Sequence, residues 1–387
     1  LGRFTTDVNL QPEESGIIKY QGELTAREFN IGKLMGLSEY LGTMNLEAYI
    51  DGQGVTEESA IVGMNGNIDS LEFMGNNFNQ VLIAGIFGGK RFNGYVDIFE
   101  ELLQLDFNGN IDFTRDIPVV DFAADIEDAK LYDLNILKRD PNTYFSSQIW
   151  CSFIGKDLDV VEGRLNIDST YYIEGEQQIF MEHLTMLTLK NGQWEREISL
   201  RSDLIDADLD GSYRFNEIYP ALLSMLDNHI SLEYIGIEEH DTIGISQDYS
   251  FDIVLNETKT VSDIFLPELT LAPSTTFKGR VNTYQNNISF NASSDRITYD
   301  GLHFNNWKLD ISNDEERIKI DTRVDKFVFK EAEQEDDVEL GFDNFSLNTS
   351  AENDSLDFWI DWFDPEELDK NSGSLAGSIV FADSSLR

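Results

Sequence analysis

The run Asp206-Ala207-Asp208-Leu209-Asp210-Gly211-Ser212-Tyr213-Arg214-Phe215-Asn216-Glu217 is where the sequence comes nearest to carrying chemistry. Acidic side chains at the first, third, fifth and twelfth positions, with glycine at the sixth, are what a calcium loop uses to wrap oxygen ligands around one ion. Two features argue against that use. The preceding residues Glu197–Arg201 alternate like a strand, whereas an EF-hand needs an entering helix. The loop itself alternates, with Ile205, Ala207, Leu209, Gly211, Tyr213 and Phe215 on one parity. A strand would set Asp206, Asp208 and Asp210 roughly 6.5–7 Å apart, too splayed to surround an ion at about 2.4 Å. Arg214 adds a positive charge at the ninth position. Asp206, Asp208, Asp210, Ser212 and Glu217 are therefore read as a look-alike, and no metal is assigned.

Other chemistry-bearing types form no constellation. Ala84–Arg91 faintly resembles a phosphate loop, but Ala84 stands where the first glycine belongs and Arg91 replaces Ser/Thr. It reads as a loop between strands. His183, His229, His240 and His303 lack ligand spacing and read as surface or half-buried residues. Cys151 is the single cysteine, which excludes a disulfide framework and a cysteine-based zinc site. Acidic pairs are too frequent to mark a glycosidase. With no nucleophile, base and orienter to name, an enzyme is the least favoured class, and no cofactor is expected.

Charge narrows the partners. Lys and Arg number 28 against 72 Asp and Glu, a net charge of 28 − 72 = −44 over 387 residues. A nucleic-acid binder needs a basic face, so the balance argues against that class, and equally against docking on an anionic membrane through a polybasic patch. A content of 41% hydrophobic and 12% aromatic residues argues against disorder. The length suits two or three domains or one elongated repeat structure. No run approaches the roughly 18 apolar residues of a membrane helix, and no signal peptide is seen. The chain begins with Leu1, which suggests a fragment of a longer protein.

The elements that must position these residues show period 2. Leu103, Leu105, Phe107, Gly109, Ile111 and Phe113 share one parity, against Gln104, Asp106, Asn108, Asn110 and Asp112. Val120, Phe122, Ala124 and Ile126 alternate with acids. So do Leu46/Ala48/Ile50, Phe251/Ile253/Leu255, Ile288/Phe290/Ala292, Trp307/Leu309/Ile311 and Ile379/Phe381. Successive strand side chains point to opposite faces, so each segment has one apolar and one wet face. The acids on the wet face discourage edge-to-edge pairing. Asn65-Gly66, Asn93-Gly94 and Asn191-Gly192 are predicted turns or bulges, and Asn108-Gly109 a bulge or bend.

One segment departs from this. Ile218, Ala221, Leu222, Met225 and Leu226 fall at helical spacing, predicting an amphipathic helix over 217–230 with Pro220 in its first turn. Lying over an apolar sheet face or plugging an open end is its expected role. Loops are expected at 139–142, at the acidic stretch 331–339 and at 364–374. The organisation reads as strands over 1–215, a helix over 216–230 and strands over 231–387, with no firm domain boundary.

The stretch Gly63–Gly75, then Val81–Gly85, Phe92–Asp97, Leu105–Phe113, Pro118–Ile126 and Leu131–Leu137 resembles the TamB-like proteins of Bacteroidetes, within the AsmA-like superfamily. Ala207–Phe215, leading into the predicted helix, resembles them too. The likeness is clearest over 40–230 and looser over 250–387. It implies an all-β fold: an elongated antiparallel sheet curled into a groove, a taco-like rod with an apolar interior. It also implies a bridge between inner and outer membranes that conducts phospholipid, and a link to outer-membrane assembly through a barrel resembling TamA. The expected place is the periplasm, anchored to the inner membrane by a segment outside this chain.

The residues expected to line such a groove are Leu46, Ala48, Ile50, Leu103, Leu105, Phe107, Ile111, Phe113, Val120, Phe122, Ala124, Ile126, Phe251, Ile253, Leu255, Ile288, Phe290, Trp307, Leu309, Ile311, Ile379 and Phe381. The expected occupants are phospholipid or other acyl chains. Two other readings stay open. One is a structural or chaperone-like scaffold for outer-membrane proteins, without lipid conduction; the other is a β-rich binding module or adhesin. Alternation alone serves an open groove and a closed core equally.

Overall fold

The computed structural model describes residues 2–386 except 36–37, 57–58, 158, 193–194, 230–245, 260–261, 263–265, 267, 315–316, 331–339, 365–370 and 383–384. The fold is nearly all-β and divides into two compact units, Leu1–Met186 and Leu187–Arg387. Unit 1 contains β1 (Arg3–Pro12), β2 (Ile18–Asn30), α1 (Ile31–Met35), β3 (Leu41–Gln53), β4 (Ile61–Phe73), β5 (Asn76–Phe78), β6 (Val81–Gly88), β7 (Arg91–Glu100), β8 (Leu103–Asp112), β9 (Val119–Lys130), β10 (Thr143–Ile154) and β11 (Glu162–Glu174). The boundary falls within β12 (Gln177–Lys190). Unit 2 contains β13 (Glu195–Ser202), β14 (Ile205–Ser212), α2 (Phe215–Asp227), β15 (Asp248–Leu255), β16 (Leu269–Leu271), β17 (Thr275–Asn282), β18 (Asn287–Tyr299), β19 (Leu302–Asn313), β20 (Ile318–Lys330), β21 (Leu340–Glu352), β22 (Ser355–Phe363), β23 (Ser372–Ala382) and β24 (Ser385–Leu386).

Among the described residues the pairings are antiparallel, and each ladder follows chain order while passing over the short β5 and β16, which pair with β4 and β18. In unit 1 the ladder runs β1–β2–β3–β4–β6–β7–β8–β9–β10–β11. In unit 2 it runs β13–β14–β15–β17–β18–β19–β20–β21–β22–β23. Neither unit closes into a barrel. Short turns join most neighbours, as antiparallel pairing allows, whereas residues 213–247, which include α2, stand between β14 and β15.

Unit 1 packs most tightly along one end of its strands. Ala26, Phe29, Leu46, Ala48, Ile68, Phe78, Val81, Ile98, Leu103, Ala129 and Leu134 form one buried cluster. Ile31 of α1 packs against it from one side. Segment 131–137 reaches it from another, with Leu131 and Leu134. Two side-chain amide hydrogen bonds tie that segment to the β4–β5 turn: Asn135 donates to the Met74 carbonyl (2.6 Å), and Asn76 donates to the Asp133 carbonyl (2.9 Å). Fully burying such side chains is worth about 1.5–3 kcal/mol each, so this rim holds unit 1 together.

Unit 2 has a smaller buried cluster, Tyr213, Met225, Tyr249 and Val281, built around α2. Ile218 and Leu222 pack against it as the helical spacing requires. The helix runs Phe215–Asp227 rather than 217–230, and Ile230 lies outside the described residues. The earlier start moves Pro220 out of the first turn, so the Asn216 carbonyl loses its usual intrahelical donor.

Several turn expectations are corrected. Asn65-Gly66, Asn93-Gly94 and Asn108-Gly109 lie mid-strand in β4, β7 and β8, without a bulge at any of them. Only Asn191-Gly192 lies between strands. Most of the phosphate-loop look-alike is strand: Ala84–Gly88 belongs to β6, and only Gly89 and Lys90 form the turn to β7. Gly89 takes φ +59°, which a two-residue hairpin turn favours. Residues 139–142 form a loop as expected, 331–339 and 365–370 lie outside the described residues, and Ser372–Ser374 already belong to β23.

Candidate functional site

Cross-strand register gathers the apolar parity into continuous rows. Ala48 stands beside Leu24 and Gly66, and Leu46 beside Ala26 and Ile68. Ile50 faces Gly22 and Met64. Leu105 pairs with Ile98 and Ile126, Phe107 with Val96 and Ala124, and Ile111 with Phe92 and Val120. Phe122 lies between Gly109 and Cys151. In unit 2, Phe251 faces Leu209 and Gly279, Ile253 faces Ala207 and Phe277, and Leu255 faces Ile205. Ile288 pairs with Val281, Phe290 with Gly279 and Ile311, and Leu309 with Ala292 and Thr322. Trp307 joins this face opposite Ser294, Ile379 lies opposite Leu356, and Phe381 pairs with Leu386.

One expected lining residue does not join. β8 ends at Asp112, one residue short of Phe113, whose side chain is 51% exposed. Asp112 is instead buried, and its carboxylate accepts hydrogen bonds from the Thr114 backbone and hydroxyl. Those bonds hold the Asp112 carboxyl below its ordinary pKa.

The rows differ along their length. Leu46, Ala48, Leu103 and Ala124 are buried, whereas Phe107, Ile111, Val120 and Phe122 are partly exposed. Away from the packed rim, rings contact one another along the sheet, tilted or stacked. Centroids are 4.7 Å apart for Phe87–Phe92, 6.2 Å for Phe92–Phe107 and 5.3 Å for Phe107–Phe122. Beneath them lies a floor of glycine: Gly85, Gly94 and Gly109 are register partners on three adjacent strands. A Cβ on Gly94 would come within 2.2 Å of the Ala84 carbonyl oxygen, and one on Gly109 within 2.3 Å of the Phe122 Cβ. Only glycine fits there, and the rings cover the bare backbone.

Unit 2 repeats the device. A Cβ on Gly279 would meet the Phe251 ring, one on Gly373 the Trp362 ring and one on Gly377 the Phe358 ring. Phe304 and Phe327 stack at 4.8 Å, and Phe342 meets Trp362 at 5.1 Å. The sequence reading had missed these glycines and the 342–362 aromatics. Their signal was present as glycines at aromatic-flanked strand positions. Cys151, also missed, lines the same face, where burial raises its thiol pKa.

The calcium look-alike is a strand. Asp206, Asp208, Asp210 and Ser212 lie on β14, and Glu217 lies in the first turn of α2. Arg201 donates two 2.8 Å bonds to Asp208 and holds its carboxyl below the ordinary range. Asp206 accepts the Ser202 N–H, and Glu217 pairs with Arg214 at 3.1 Å. Among the described residues no group of three His, Cys, Asp or Glu converges as metal ligands would. His183 is exposed and His303 half-buried, whereas His229 is fully buried, contrary to expectation; His240 lies outside the described residues.

No family model, curated protein or solved structure matches the chain.

Proposed function

We propose that the apolar faces of the two units cover lipid acyl chains, as part of a cell-envelope bridge passing phospholipid between membranes. The observation that carries this reading is the half-exposed ladder Phe87–Phe92–Phe107–Phe122 over its glycine floor. Each CH₂ kept from water saves about 0.8 kcal/mol, so a continuous apolar face removes most of the cost of crossing an aqueous gap. Lining that is apolar and even, without a deep polar well, lets a chain slide rather than lodge. No bond is made or broken, so the function is non-enzymatic. The reading places the chain in the periplasm, anchored in the inner membrane through a segment outside it and meeting an outer-membrane barrel through other regions.

A second reading is a β scaffold for outer-membrane protein assembly, in which the same antiparallel ladders would serve without lipid conduction.

Lipid binding separates the two. The purified chain would be stripped of lipid and equilibrated with phosphatidylethanolamine–phosphatidylglycerol vesicles carrying a fluorescent acyl chain. The lipid reading expects stable uptake, lost severalfold in the Phe107→Asp/Phe122→Asp variant and retained in Asp106→Asn/Asp121→Asn. Equal uptake by both variants would sink it.

A further inference from the structure

The wet face of unit 1 carries a pattern that lipid cover does not use. Tyr49 on β3, Tyr95 on β7 and Trp150 on β10 are exposed by 48%, 44% and 42%. They belong to one register row, because Tyr49 pairs onward through Asn65 and Ala84 to Tyr95. Tyr95 in turn pairs onward through Asn108 and Ala123 to Trp150, and Trp150 faces Asn166. A ring therefore recurs every third strand, on the order of 14 Å apart along the sheet. Tyr95 and Trp150 each have an alanine on one side, Ala84 and Ala123, too small to cover the ring, and Tyr49 has Glu23 there; the row places an amide on the side beyond each of the three.

Exposed rings cost hydration unless something covers them, and a row of them across a sheet is a ligand platform. The chemistry around this one selects the ligand. Rings present flat π faces that suit the C–H faces of pyranose sugars, and amides and carboxylates suit vicinal hydroxyls. Asp97, Asp106 and Asp125 occupy the row on one side, and Asp51 and Asp121 the row on the other. That negative field repels nucleic acids and anionic polysaccharides. In unit 2, the row through Asp208, Asp252, Lys278 and Asp310 holds charges where unit 1 holds rings. Trp359 stands alone at the end of that row, between Asn348 and Ala376.

We infer that the Tyr49–Tyr95–Trp150 row is a binding platform for a neutral polysaccharide laid across the strands. It leaves the apolar face free, so it does not depend on the lipid reading.

Affinity electrophoresis tests this in native gels containing hydroxyethyl cellulose, glycol chitin or alginate. The 387-residue chain should be retarded by at least one of the two neutral or near-neutral polymers and not by alginate. Each ring should contribute roughly a threefold to tenfold factor in apparent affinity. The Tyr49→Ala/Tyr95→Ala/Trp150→Ala variant should run as freely as in a plain gel, and Trp359→Ala should be retarded like wild type. Circular dichroism and the urea midpoint of the triple variant check that its fold survives. If it is misfolded, the three single variants, each expected to weaken retardation, decide instead. Absence of retardation by either polymer, retardation equally strong in alginate, or retardation unchanged when the rings are removed would overturn the inference.

Discussion

Leu103 and Phe107 stand four residues apart on one strand and one face, yet they live in different environments. Leu103 belongs to the buried rim, where segment 131–137 and α1 close over the strand ends. Phe107 belongs to the ring ladder, which touches its neighbours along the sheet and keeps an exposed side. The first region stabilises the fold, and the second leaves apolar area uncovered. The lesson is that a single alternating pattern can serve both ends, with the difference set by what covers each stretch. Leu105, predicted to line a groove, packs against the rim cluster and so belongs with Leu103.

The sharpest way to break this comparison is truncation at both places. Leu46→Ala should cost about 2–5 kcal/mol, as for a buried core leucine, and Phe107→Ala clearly less, about 1–2 kcal/mol. Urea midpoints of the two variants measure this, and equal losses would make the ladder a closed core. Next in size is Gly94→Ala. Its Cβ would meet backbone on the neighbouring strand, so a loss of about 1–3 kcal/mol is expected by thermal melting. A tolerated alanine there would show that the sheet can flatten beneath the rings.

Unit 2 offers a pH test of its own rim. Burial in the α2 cluster pushes the Tyr249 phenol from 10.0 up to about 12. A folded pKa above the unfolded one gives stability that is whole below pH 10 and is lost as pH rises toward about 12. Wild type should therefore weaken over that window more than Tyr249→Phe does, as read from urea midpoints at pH 9 and 11.5. Parallel curves would mean that the α2 cluster is open to water. The smallest effect is expected at Asp106, which stands directly between Asp97 and Asp125. Like charges opposite one another repel, so Asp106→Asn should raise stability by a few tenths of a kcal/mol in low salt.

The strand parity, and with it the antiparallel all-β fold, was legible because one face alternates apolar against acidic over long runs. What escaped was local. Glu28 and Asp128 take positive φ, at +52° and +51°, and shift the parity so that Phe29 and Ala129 return to the buried face. A sequence pattern of period 2 has no way to mark such a step. Asn-Gly pairs signalled turns or bulges at Asn65 and Asn93, and a bulge or bend at Asn108, because glycine is the usual residue of such irregularities. Here strand proximity, rather than turn geometry, demands it. The covering of the rim was invisible too, since it depends on Asn135 meeting Met74 across 61 positions of chain.

The most direct test of the account places photoreactive residues one at a time at 103, 107, 108 and 122 of the protein in cells, followed by lipid analysis of the adducts. Adducts at 107 and 122, with none at 103 or 108, are the predicted result. No lipid at 107 and 122, or as much at 108, would contradict an acyl-covering ladder and leave the apolar face a structural core.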